Sequence, residues 1–158
     1  MTVPSETSRR HLEPLAVQFS VFLPNRVGQL TDLLGLLAQN LLSVLGISIV
    51  DSTDWAVIRL VVSDSQAARQ VFQTNQTAFT ESQVLLVQLE DASAVQEVCV
   101  ILLRGEINVH FAYPLMLCRQ SQPVIVLHVD DPILASHLLL RHGMTLLTEA
   151  DLSAGGSD

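Results

Sequence analysis

Two hydrophobic periods take turns along the chain. Val17, Phe19, Val21 and Leu23 alternate with Gln18 and Ser20, the period-two pattern of a strand with one buried face. Pro24-Asn25-Arg26-Val27-Gly28 breaks that strand. Leu30, Leu33, Leu34 and Leu37 then recur at helical spacing and predict one apolar helix face. Val44 to Val50 is rich in β-branched residues and reads as a second strand. A turn follows over Asp51-Ser52-Thr53-Asp54. Ala56, Ile58, Leu60 and Val62, interrupted by Arg59, mark a third strand. Ser63-Asp64-Ser65 offers helix caps ahead of a face built from Ala68, Val71 and Phe72. A short strand is expected near Phe79 to Ser82.

The same order then returns. Val84 to Leu89 predicts a strand, and Val95, Val98, Cys99 and Leu102 a helix face. Ile107 to Phe111 and Val124 to Val129 predict strands. Asp130-Asp131-Pro132 opens a helix, with Asp as cap and Pro at its first position, and Ala135, Leu138 and Leu139 form its face. A last strand is expected over Leu146 to Thr148. Residue by residue, Leu30, Leu33, Leu34 and Leu37 return as Val95, Val98, Cys99 and Leu102 at one constant spacing. Val62, Asp64, Ala68, Val71 and Phe72 return as Val129, Asp131, Ala135, Leu138 and Leu139. A repeat this long suits a duplicated small domain and not a solenoid unit.

Strand–helix–strand–strand–helix–strand, read twice, predicts an α+β chain of two tandem ferredoxin-like βαββαβ modules. Each is an antiparallel sheet with both helices on one face. The expected layout is a flexible arm over residues 1–14, a first module over 15–82, a second over 83–152 and a flexible tail over 153–158. The helix-free face of each sheet needs a cover, or its edge a partner. Both needs point to side-by-side pairing of modules, within one chain or across a homodimer.

Composition narrows what such a chain does. With 49% hydrophobic and 15% charged residues it is not a disordered chain. A net charge of −8 disfavours nucleic acid and anionic membranes as partners. All eight basic residues are Arg, so lysine-based chemistry is excluded. Cys99 and Cys118 have no metal or redox spacing, and Cys99 in its apolar pattern reads as a small buried hydrophobe. His137 and His142 do not share a helix face, while His110 and His128 fall on strands that a sheet could bring together. No serine sits in a nucleophile elbow, and there is no Gly-rich phosphate loop. Neither a secretory leader nor an apolar run long enough for a membrane span is present, so a cytoplasmic location is expected. These points predict no catalysis, no metal and no cofactor.

Three motifs, in order and within a duplicated frame, carry a resemblance. They are Leu23-Pro24-Asn25-Arg26-Val27-Gly28-Gln29-Leu30 after the first strand, Ile47 to Trp55 across the turn, and Val129-Asp130-Asp131-Pro132 at the last helix. The run from Gly143 to Leu152 adds to them. In these the chain resembles the ACT domain family, in particular tandem-ACT proteins that have no catalytic domain. The resemblance spans nearly all of residues 15–152. It implies a non-catalytic regulatory protein that binds a small effector, an amino acid, where two ACT modules abut.

The implied site lies in the loop residues Asn25, Arg26, Val27 and Gly28, in Gln29 and Leu30 at the helix start, and in Asn108 at a strand entry. Gly lets a carboxylate approach the backbone, and the helix offers unpaired N–H groups. Val27 stands where the family has Pro. The second loop, Glu90 to Ala94, keeps an acidic residue at Asp91 but has lost the Gly, so the two sites are expected to be unequal. Asn-x-x-Gly before a helix is also an ordinary turn. A second reading therefore stays open, an ACT scaffold for protein interaction whose ligand sites have decayed.

Overall fold

The computed structural model describes residues 14–117 and 120–154; the expected arm up to residue 13, Cys118 and residues 155–158 lie outside them. The first module runs β1 (Ala16–Pro24), α1 (Gln29–Gln39), β2 (Val44–Asp51), β3 (Trp55–Val62) and α2 (Ser65–Thr74) into β4 (Phe79–Gln88). The chain continues as α3 (Ala94–Arg104), β5 (Val109–Pro114), β6 (Val124–Val129), α4 (Pro132–Arg141), β7 (Thr145–Leu147) and α5 (Glu149–Ala154). Local signals set these boundaries. The Asp64 and Asp131 side chains accept from the backbone N–H of Ala67 and Leu134 at 3.1 and 3.0 Å, capping α2 and α4.

Strand β4 joins the two halves. The short strand expected near Phe79 and the one expected from Val84 form one unbroken strand. Its first half pairs with β1, from Phe79 opposite Val21 to Val84 opposite Ala16. Its second half pairs with β6 and with β7. The result is one antiparallel sheet in the order β2-β3-β1-β4-β6-β5, with β7 on β4. No turn residue interrupts Val84-Leu85-Leu86-Val87, and a run buried on both sides suits an uninterrupted central strand.

Alternation along the strands makes three cores. Phe19, Val21, Ile58, Leu60 and Val62 face α1 and α2, where they meet Leu33, Leu37, Ala68 and Phe72. Phe19, Phe72 and Phe79 pack ring against ring there, at 5.3 to 5.9 Å between centroids. Leu85, Val87, Leu127 and Val129 face α3 and α4 in the same way. The third core lies on the helix-free side. It joins Ala16 and Val61 to Leu86, Tyr113, Leu115, Val124, Val126, Leu147 and Leu152. The two helix-free faces therefore cover each other. The sheet curls until its outer strands meet, with Gly46 of β2 bridging Leu115 beside β5 and the Met116 N–H reaching the Leu45 carbonyl at 2.5 Å.

Four sequence readings change here. Gln18, placed by alternation on the face away from the helices, is fully buried, because that face is the interior of the curl and not solvent. Cys99 is exposed; Ile101 takes the buried position, since α3 turns Val98, Ile101 and Leu102 inward. Strand β5 starts at Val109, two residues later than expected, because Glu106 adopts a left-handed φ of 57° ahead of it. Helix α5 was not foreseen. The Asp151 carboxylate caps its start, accepting from the Thr148 N–H at 2.8 Å and from the Thr148 hydroxyl at 3.1 Å, and Leu152 closes the third core. Ser153 and Ala154, in the expected tail, end this helix.

The third core also holds a polar pair. The Tyr113 hydroxyl donates to Gln18 Oε1 at 2.6 Å, and the Gln18 Nε2 has no partner among the described residues. Burial pushes the Tyr113 phenol well above its ordinary value, because a tyrosinate would lose its hydration there.

Two outcomes are expected. A Cβ at Gly46 would stand 3.1 Å from Leu115 Cδ1 and 3.2 Å from Tyr113 Cε2, so Gly46→Val should overpack the seam. Urea denaturation should read a loss of about 1–3 kcal/mol; an unchanged midpoint would show the edges are not held together. Tyr113 is the only tyrosine, so tyrosinate absorbance reports it alone. Its folded pKa is raised, so its contribution to stability is full below the unfolded value, about 10, and is lost as pH rises beyond it. In an alkaline titration tyrosinate should appear only with unfolding. Reversible ionisation near pH 10 in folded protein would contradict the burial.

Candidate functional site

The loop between β1 and α1 is built by a break in strand pairing. Pro24, opposite Trp55, ends β1, and the Asn25 N–H bonds the Asp54 carbonyl at 3.0 Å. The Asn25 side-chain amide donates to Asp51 Oδ1 at 2.9 Å and to the Ser52 carbonyl at 3.1 Å, tying the loop to the β2–β3 turn of its own module. Asn25, Arg26, Val27 and Gly28 are all exposed, and Val27 projects fully into solvent. Gly28 takes a left-handed φ of 89° at the N-cap of α1 and meets nothing within 4 Å of where a Cβ would be. The position requires Gly for its backbone and leaves open space around it.

Helix α1 has no side-chain cap. The Gln29 N–H bonds the Arg26 carbonyl and the Asp32 N–H that of Gly28. The N–H groups of Val27, Gly28, Leu30 and Thr31 take no hydrogen bond among the described residues. Unpaired donors at the positive end of a helix dipole, beside a residue without a side chain, form a cradle for a carboxylate or other small anion. Of the sequence-predicted residues, Asn25, Arg26, Val27, Gly28, Gln29 and Leu30 meet at this one point. Gln29 and Leu30 are half-buried, with Leu30 packed on the first core.

Asn108 stands apart from this group. It is exposed near the start of α4, its N–H bonding Asp130 Oδ1 at 3.2 Å and its carbonyl accepting from the Asp130 N–H. Among the described residues no hydrogen bond joins it to the 25–30 loop of the same chain.

The second loop is already filled. The Asp91 carboxylate accepts from the Ser93 N–H at 2.8 Å and from the Ser93 hydroxyl, and these bonds hold its pKa below the usual value. The Ser93 N–H, the counterpart of the free Gly28 N–H at α1, is thus taken by the protein's own anion. The cleft beside it, about 450 Å³, is lined by Glu90 and Glu97 with Gln88, Gln122, His142 and Thr145, so two carboxylates and one imidazole face any anion there.

Sequence reasoning missed a different polar group, at the interior end of the curl. The Arg59 guanidinium lies 3.8 Å from the Phe111 ring centroid, joining the two modules. Phe111 stacks on His128 at 4.6 Å and 7°, and His110 lies 5.3 Å from His128, the strand neighbours expected from their positions. Burial, then His110 and Arg59, lowers the His128 pKa. The available signal was a lone Arg in the apolar run of β3, but which face of β3 would be enclosed was not readable.

A family model described as an ACT domain pair matches residues 15–154. No curated protein matches the chain significantly. Among solved structures, protein BT0572 from Bacteroides thetaiotaomicron is similar, with a TM-score of 0.79 and 22% identity, covering 88% of this chain and 96% of that one. The ligand-free regulatory subunit of aspartate kinase from Thermus thermophilus shares the fold with a TM-score of 0.54 and 8% identity, covering 82% and 93%. The α and β subunits of an aspartokinase give a TM-score of 0.54 at 17% identity over 82% and 92%. With two repeats, one shared sheet and the family match across both, the chain belongs to the ACT domain family as an ACT domain pair.

Proposed function

We propose that this ACT domain pair is a non-catalytic regulatory protein that binds an amino acid at the N-terminus of α1 and passes its occupancy to a partner or to its own assembly. The observation that carries this reading is the uncapped start of α1, where four N–H groups stand free behind Gly28. An amino-acid carboxylate suits those donors, and its ammonium suits the Asn25 carbonyl oxygens, main-chain or side-chain. Asn108 of the partner subunit is proposed to complete the site in a homodimer. The aspartate kinase regulatory subunit, similar in fold, supports a regulatory role. The proposed layout keeps the two modules at 15–82 and 83–152 and one working site per chain, because Asp91 occupies the second loop. No described helix is long and apolar enough to cross a membrane, and the proposal takes the protein as cytoplasmic.

The alternative, a scaffold whose ligand sites have decayed, is favoured by one specific observation: Val27 fully exposed where the family has Pro. A thermal-shift screen of the twenty amino acids separates the two. A true ligand at about a hundred times its Kd should add about 2.7 kcal/mol and raise Tm by roughly 5 to 10 °C. Gly28→Val should abolish that shift, since a β-branched residue cannot hold a left-handed φ and would cover the N–H groups. Ser93→Val should leave it unchanged. Trp55, 53% exposed and opposite Pro24, should report binding through its fluorescence. No shift with any amino acid favours the scaffold, and equal loss in both variants would overturn the one-site arrangement.

A further inference from the structure

The interior of the curled sheet changes character along β1. At the Ala16 end it is filled by the apolar third core. Towards Pro24 the inward positions become Gln18 and then Ser20. Ser20 lies opposite Arg59, and Ser48 lies opposite Arg59 on the other side, so hydroxyl, guanidinium and hydroxyl form a strip across β1, β3 and β2. Alternation aims all three inward, since Phe19, Val21, Ile47, Ile58 and Leu60 take the helix side. Phe111 and His128 of the second module face the strip. Ser20, Ser48, Arg59, Phe111 and His128 are half-buried, so solvent reaches this end of the interior.

Two features mark the place as more than a polar lining. The guanidinium makes no ion pair among the described residues; Glu81, on neighbouring β4, turns to the helix side and pairs with Arg69. Gln18, fully buried, has Nε2 without a partner, and His128 has a buried Nδ1 without one. If the Gln18 amide is turned over, its oxygen is left in the same position, so one amide atom lacks a protein partner either way. A buried polar atom without a bond costs about 1–3 kcal/mol, and two of them on the inner side that also carries an unpaired guanidinium fit a site that a ligand completes.

We propose that the polar end of the interior, bounded by Gln18, Ser20, Ser48, Arg59, Phe111 and His128, binds a small monocarboxylate. The guanidinium takes the carboxylate edge-on with two parallel N–H···O bonds, held flat for this by the Phe111 ring. The Ser20 and Ser48 hydroxyls flank the pair, and the Gln18 amide and His128 ring supply further bonds. One permanent cation matches one negative charge. In a chain of net charge −8 a multiply charged anion such as phosphate is opposed by the whole field. The site is separate from the α1 loop and does not depend on that loop binding anything.

The test is an NMR titration of the ¹⁵N-labelled full chain at constant ionic strength, reading the Gln18 side-chain amide and the Arg59 Nε–H. The probes are sodium propionate, propionamide and sodium phosphate. Propionate should shift both signals along one saturable curve, and propionamide should shift neither. Arg59→Gln should weaken the propionate curve at least about tenfold, the loss of a charge-assisted pair. Should that variant fail to fold, Ser48→Val, which blocks the strip from the edge strand, should weaken it as well. Gly28→Val should leave the propionate curve unchanged, so the fate of the α1 loop is read apart from this one. Absence of a saturable shift overturns the proposal. So does an equal curve in Arg59→Gln or Ser48→Val, which means adventitious binding, and so does tighter binding of phosphate, which means a general anion site.

Discussion

Everything distinctive in this protein follows from how one sheet hides its second face. A βαββαβ module covers one side of its sheet with helices and leaves the other bare. Here the two bare faces are turned on each other by a strand that belongs to both halves, and the sheet curls until Gly46 touches Leu115. A side chain there would press on Leu115 and Tyr113, whose atoms lie 3.1 and 3.2 Å from where its Cβ would stand. Burial of Leu86, Val124, Val126, Leu147 and Leu152 on this inner side drives the closure. Helix α5 serves the same end, reaching across so that Glu149 accepts from the Val17 N–H at 2.6 Å.

Closure also sets the electrostatics. Residues that would be solvated on an open sheet become enclosed, and their chemistry changes accordingly. Tyr113 is held protonated, His128 is held towards its neutral form, and Arg59 rests on an aromatic face. A buried polar group is tolerated only when it is bonded. Tyr113 and one side of Gln18 meet that condition, while the other side of Gln18 does not. The interior is thus apolar at one end and under-satisfied at the other.

The duplication has not kept the halves alike. Gly28 leaves the α1 terminus bare, whereas Asp91 folds onto Ser93 and fills the matching place in the second half. A carboxylate already present at a helix start competes with any carboxylate ligand, both for the N–H donors and through like charge. One module therefore leaves the N–H at its helix cap free, and the other uses its own carboxylate to brace the turn.

The sequence by itself determined the modules. Period-two and helical spacings, with Asp64, Asp131 and Pro132 as punctuation, placed β1 to β3, α1, α2, α4 and β6 within a residue or two, because those signals are local. The repeat made the double βαββαβ order legible, and the Asn25-to-Gly28 motif located the candidate loop, whose left-handed Gly28 is likewise a local requirement. The Thr148-to-Asp151 cap of α5 is a local signal too. The tertiary structure alone decided what faced what. Alternation says that Gln18 and Arg59 lie opposite the helix side, but not whether that side meets water or another part of the chain. That depends on contacts between residues far apart in sequence, such as Arg59 with Phe111 and Gln18 with Tyr113. In α3, likewise, the repeat pattern put Cys99 on the buried face, and only the direction from which the sheet approached the helix put Ile101 there instead.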